Sequence, residues 1–172
     1  MSKPKINDIY IIALVFLVNF SFKLLNLTHE PIWYDECFSI FYSQGSINEI
    51  LTVSKWDINP PFFNLFLHPW VKIFGTSELS MRMVPVILSS LTAVTLYLFL
   101  NRYTGFRAAI TASVLYLFSS ISFFYAQEVR GYTLILFVSI VSIWLFIKLM
   151  EKPSYLTSIF LGGTYYVLIM TH

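Results

Sequence analysis

Uncharged apolar stretches dominate the chain. Positions 9–22, 83–101, 108–127, 131–147 and 153–171 contain no Asp, Glu, Lys or Arg. Most approach the ~20 residues that a helix needs to cross ~30 Å of hydrocarbon. Only 12% of the 172 residues are charged and 57% are hydrophobic, about half the charge of an ordinary soluble domain. The expected fold is all-α and polytopic in a membrane. Pro4 and Asp8 precede the first stretch and no small-residue cleavage site follows it, which marks a retained helix rather than a removed signal peptide. The single cysteine, Cys37, excludes an intramolecular disulfide. A dispersed net charge of +2 excludes nucleic acid as an expected partner, and no Gly-rich phosphate loop, CxxC pair or HExxH occurs.

One segment, 59–74, is ambiguous. As a helix from Pro61 to Phe74 it is roughly 20 Å long, short of a crossing, and it carries Asn64, His68, Pro69 and Lys72. The excess of Lys and Arg on cytoplasmic loops decides between the alternatives. If the segment lies along the interface, Lys3, Lys5, Arg102, Arg107, Lys148 and Lys152 share the side of the N-terminus. Asp35, Glu36, Glu49, Asp57, Glu78 and Glu128 then face the other side. If it spans, the last four of those cations move outside. The expected topology is therefore five transmembrane helices, about 8–27, 81–101, 107–126, 131–148 and 154–171, with a cytoplasmic N-terminus. An external segment, 28–80, holds two or three short interfacial helices. Ser46 and Glu49 form a capping-box pattern that starts one of them. Pro60-Pro61 starts the next, because proline is tolerated in a first turn and breaks an interior, and Gly75 ends it.

This threading gathers the ionisable side chains on one face. Asp35-Glu36 opens the external segment among Trp33, Tyr34, Phe38, Phe41 and Tyr42. Acids placed against lipid cost free energy, so they point to catalysis or metal binding; the competing explanation is attraction to a helix N-terminus. Arg82, Glu128, Arg130 and His172 fall at the external ends of later helices. Arg82 and Arg130 fit phosphate binding or simple snorkelling to the interface, and Lys23, near the outer end of the first helix, fits snorkelling. Glu128 fits a site role or a local pair with Arg130. His29, His68 and His172 lack ligand spacing. Trp33, Trp56 and Trp70 suit an interfacial belt, and an aromatic face of this kind also stacks on sugars.

The order Trp33-Tyr34-Asp35-Glu36 with Ser39, then Asn59-Pro60-Pro61-Phe62, resembles the polyprenyl-phosphate-sugar-dependent glycosyltransferases of the GT-C fold. The similarity is to the branch of protein O-mannosyltransferases and aminoarabinose transferases. Gly75-Thr76-Ser77-Glu78 before Arg82, the basic turn 101–107, and Gln127-Glu128-Val129-Arg130-Gly131-Tyr132 extend it over residues 8–172. Many relatives have His where this chain has Asn59. Relatives also have more helices and a soluble external domain, so residues 1–172 are expected to be the N-terminal transmembrane part, with the C-terminal remainder absent. The resemblance implies inverting sugar transfer from a polyprenyl-phosphate donor to a lipid, glycan or protein hydroxyl outside the cytoplasm, in a bacterial or archaeal cell membrane. It makes Asp35 and Glu36 catalytic, Arg82 and Arg130 the donor-phosphate ligands, and Glu128, Asn59 and Tyr132 supporting residues. It requires no cofactor and allows a divalent metal at Glu36 and His172. Two other classes compete: a lipid transporter or flippase, and a non-catalytic membrane scaffold. Transport needs ionisable groups near the midplane, whereas these cluster at one interface, which favours the enzyme.

The topology is tested by thiol labelling on a Cys37→Ser background. Cysteine at position 46 should react with impermeant reagent on intact cells, and cysteine at 104 only after permeabilisation. Reaction of both from the same side would remove the five-helix threading.

Overall fold

The computed structural model describes residues 6–56 and 59–171. Helix accounts for 78% of it, with no strand among the described residues. In chain order the helices are α1 Ile6–Lys23, α2 Tyr34–Gln44, α3 Ile47–Val53, α4 Phe62–Phe74, α5 Glu78–Tyr103, α6 Phe106–Phe118, α7 Ser120–Tyr125, α8 Tyr132–Glu151 and α9 Tyr155–Ile169. Two of them, α5 and α8, are long and apolar enough to cross a membrane, while α6 and α9 are apolar but shorter.

Helix α5 is the axis, packed against α1, α6 and α8, with α9 laid on α8. Its inner face carries small residues, Ser89, Ser90, Thr92 and Ala93, all buried, so neighbouring backbones approach closely. The hydroxyls cost little there, because Ser90 and Thr92 donate back to the Val86 and Leu88 carbonyls. One apolar cluster joins α1, α5 and α6 through Val15, Tyr97 and Ala109. A second joins α2, α4, α5 and α8 through Ile40, Leu67, Met81 and Leu134.

The short helices behave as their sequences dictate. Ser46 and Glu49 cap each other's backbone N–H groups at α3, at 3.3 and 2.6 Å. Helix α4 starts after Pro61 and stops at Gly75, whose φ of +73° favours glycine. It buries Phe63, Leu67 and Val71 against α2 and the core. Trp70 is more than a belt residue: its indole N–H donates to the Ser80 carbonyl at 3.1 Å and joins α4 to the start of α5.

Two expectations change. The expected helix 107–126 is broken into α6 and α7 at Ser119, whose hydroxyl caps the new helix by accepting from the Ser122 N–H. The local serines supply caps that the apolar pattern concealed. Lys23 does not snorkel. Its ammonium is fully buried, donates to Ser122 Oγ at 2.6 Å, and lies over the Tyr116 and Phe123 rings. The same Ser122 hydroxyl bonds the Tyr116 carbonyl that the break releases. The cation therefore sits at the electronegative C-terminus of α6, with two aromatic faces in place of water.

The end of α9 completes the fold. Phe62 N–H donates to the Met170 carbonyl at 3.0 Å, and Gly131 lies so close to Thr171 that a Cβ there would stand 2.7 Å from Thr171 Cγ2. Gly131→Ala should therefore destabilise the protein by about 1–3 kcal/mol through overpacking, read by thermal unfolding in detergent. Thr171→Ser, which lacks that methyl, should restore most of the loss in the double variant; a Gly131→Ala protein as stable as the parent would show that the contact is slack.

Candidate active site

Helix α2 divides the candidate residues between two environments. Positions 35, 38, 39 and 42 recur at helical spacing and line a cavity of about 380 Å³. Positions 36, 40 and 43 face the interior. Adjacent carboxylates thus receive opposite roles from helical geometry alone. Asp35 remains 60% exposed, while Glu36 is 1% exposed.

Glu36 is held from three directions. Its Oε2 accepts from the Trp33 N–H at 2.8 Å, closing the first turn of α2. Its Oε1 accepts from the Val129 N–H at 2.8 Å, across the molecule in the turn between α7 and α8. Arg82 Nη2 lies 3.7 Å from Oε2. The guanidinium also donates to the Leu27 and Glu30 carbonyls and pairs with Glu78 one turn earlier at 3.3 Å. Backbone partners thus occupy both Glu36 oxygens. No trio of His, Cys, Asp or Glu side chains that could hold a metal converges among the described residues, and His172 lies outside them. The described residues do not form a metal cage around Glu36.

The segment 127–132 supplies the rest. Gln127 Nε2 donates to the Leu25 carbonyl at 2.7 Å and to the Lys23 carbonyl at 3.2 Å, fixing the end of α1. Arg130 Nη1 donates to Asp35 Oδ2 at 2.7 Å, and its guanidinium lies 5.1 Å from the centre of the Tyr132 ring. Asp35, Asn59, Arg130 and Tyr132 therefore line one cavity together. Arg82 and Glu128 do not join them. They line a second cavity, of about 480 Å³, with Glu30, Trp33 and a group of phenylalanines. The single cluster expected from the sequence is two, separated by the Glu36–Val129 connection. Arg82 stands on the far side because it enters one turn into α5, beneath the 27–30 turn whose carbonyls it binds.

Several of these contacts lay beyond sequence reasoning. The Gln127 and Lys23 contacts join residues about a hundred positions apart, and no local pattern announces them. The inward turn of Glu36 did have a signal, its third position in a helix preceded by an extended residue.

A family model described as dolichyl-phosphate-mannose-protein mannosyltransferase matches residues 58–169. The match covers Asn59, Arg82, Glu128, Arg130 and Tyr132 and begins after Asp35 and Glu36. No curated protein and no solved structure matches the chain.

Burial raises the pKa of the Glu128 carboxyl above its ordinary value, the Glu36 and Asp35 charges add to that, and Arg130 opposes it. A raised folded-state pKa means that the native state holds its proton longer than the unfolded chain. Stability then falls as pH rises from the usual glutamate range through the raised value, and the penalty is fully present above that value. Glu128→Gln should raise the unfolding temperature at pH 7 and leave it nearly unchanged near the ordinary carboxyl pKa. Equal shifts at both pH values would show that the charge is not the cause.

Proposed function

Because the chain belongs to the dolichyl-phosphate-mannose-protein mannosyltransferase family, we propose that it takes part in sugar transfer from a polyprenyl-phosphate donor to an acceptor hydroxyl, with Asp35 as general base. Members of this family are integral membrane glycosyltransferases. The observation that carries the finer reading is the Asp35–Arg130 pair at the cavity wall, a base and a phosphate ligand in direct contact.

In the proposed reaction the acceptor hydroxyl gives its proton to Asp35 while its oxygen forms a bond to the anomeric carbon. The bond from that carbon to the phosphate oxygen breaks on the opposite face, inverting the configuration, and the electron pair leaves on phosphate. Phosphate is a good leaving group, so no strong acid is needed; a cation that stabilises the growing charge suffices. Arg130 suits that task, since its planar fork matches phosphate oxygens. Before the donor arrives, Arg130 is engaged with Asp35. A phosphate that draws the guanidinium to itself releases the carboxylate to accept a proton, so donor binding arms the base.

Glu36 and Arg82 are positioning residues in this scheme. Glu36 holds the turn carrying Arg130 against the helix carrying Asp35. Arg82 neutralises the buried Glu36 carboxylate and holds the chain entering α2. The accompanying topology has α1, α5, α6 with α7, α8 and α9 crossing the membrane, the N-terminus cytoplasmic and the cavity external. The location of the charged residues supports transfer over transport, because those that line the cavities lie in the first turns of α2 and α5 and in the turns before α2 and α8.

Paired variants test the assignment in lipid nanodiscs. Asp35→Asn should lower turnover by ~100-fold or more, the usual scale of a lost general base, and leave donor binding intact. Arg130→Lys should weaken donor binding although the charge remains. Near-normal turnover of Asp35→Asn would reduce Asp35 to a helix-start residue.

A further inference from the structure

The cavity beside Asp35 runs on along α2, away from the ion pair. Phe38 and Tyr42 follow on the same face with ring centres 5.5 Å apart. Just past α3 in sequence, Trp56 also lines the cavity and is 89% exposed. Asn64 and Thr171 add an amide and a hydroxyl to the lining. Apart from Asp35 and Arg130, the described lining residues carry no charge.

This chemistry selects its occupant. Among the described lining residues an ionic group finds a charged partner only at Asp35 and Arg130, and a hydrocarbon chain would strand the Asn64 amide. A neutral sugar ring has one face of C–H groups, which lies on an aromatic ring, and an edge of hydroxyls, which bond amides and hydroxyls. Tryptophan presents a broad, rigid face of this kind, and a mostly apolar site with a few polar groups is the usual form of a ligand pocket. Position matters as well. Tyr42 lies seven residues from Asp35, about 10 Å along the helix, farther than one ring bonded at Asp35 extends.

We propose that Trp56, with Tyr42 and Phe38, is a platform for a sugar ring of the acceptor, so that the acceptor is a glycan. The proposal rests on the assignment of the reacting centre to Asp35. The place of Tyr42, about two turns along α2 from Asp35, separates the acceptor's ring from the donor's.

Saturation-transfer NMR on the protein in nanodiscs tests this, with methyl glycosides of neutral hexoses as probes. The parent and Trp56→Phe should transfer saturation to the sugar C–H protons, whereas Trp56→Ala should bind about tenfold more weakly. All three should bind sugar-free polyprenyl phosphate alike, which shows that the exposed substitution leaves the fold intact. Glycoside should stay bound when polyprenyl-phosphate sugar is added. Equal binding by Trp56→Ala, or displacement of the glycoside by the donor, overturns the platform's assignment to the acceptor. So does a serine- or threonine-containing peptide whose binding depends on Trp56 where the glycoside's does not. These are binding measurements, so they hold even if Asp35→Asn retains turnover and the base assignment fails.

Discussion

A single buried carboxylate organises the functional end of this molecule. Glu36 accepts one hydrogen bond from the first turn of its own helix and another from Val129, 93 residues later, while Arg82 supplies the opposing charge. A carboxylate removed from water is tolerable only when its oxygens and its charge are both answered. Meeting that requirement brings α2, the start of α5 and the turn before α8 into one arrangement. Asp35 and Arg130, each adjacent or next-adjacent to a partner of Glu36, then meet as a consequence. Their 2.7 Å contact is inherited from the burial next door.

Much of the architecture was legible because membranes leave few options. Long uncharged runs gave the positions of α1, α5, α8 and α9, and the capping pair at Ser46 and Glu49 placed α3. The segment 59–74 was separable from the long helices by its length and its polar residues, and it forms α4. The break at Ser119 was hidden because hydropathy averages over a turn, while the serine caps that make the break are strictly local. Lys23 was misjudged because a long cationic stem at a helix end has two solutions, outward to water or inward to a helix C-terminus and aromatic rings. Only tertiary packing decides between them.

The site was legible in part for a similar reason. Spacing placed Asp35 and Glu36 in one first turn, and threading put Arg82 and Arg130 on the same side. Side alone does not fix which cavity a residue enters. Arg82 and Glu128 face the second cavity because the backbone connecting Glu36 to Val129 stands between them and Asp35. Among the described residues, the resulting partition balances Asp35 against Arg130 in one cavity and gives the other a surplus of carboxylates, with Glu30 and Glu128 beside Arg82. Two adjoining chambers of different polarity suit a reaction that must keep unlike molecules in separate places.

The contact between the beginning of α4 and the end of α9 carries a consequence for biogenesis. Phe62 is bonded to Met170, and Thr171 both abuts Gly131 and lines the Asp35 cavity. Residues near position 60 leave the ribosome long before those near 170. The first wall of the cavity must therefore wait, unlined, through the insertion of every intervening helix. Pairings of such long sequence separation form late. The cavity is thus complete only once the last described helix is seated, so its walls are closed by the order of synthesis itself.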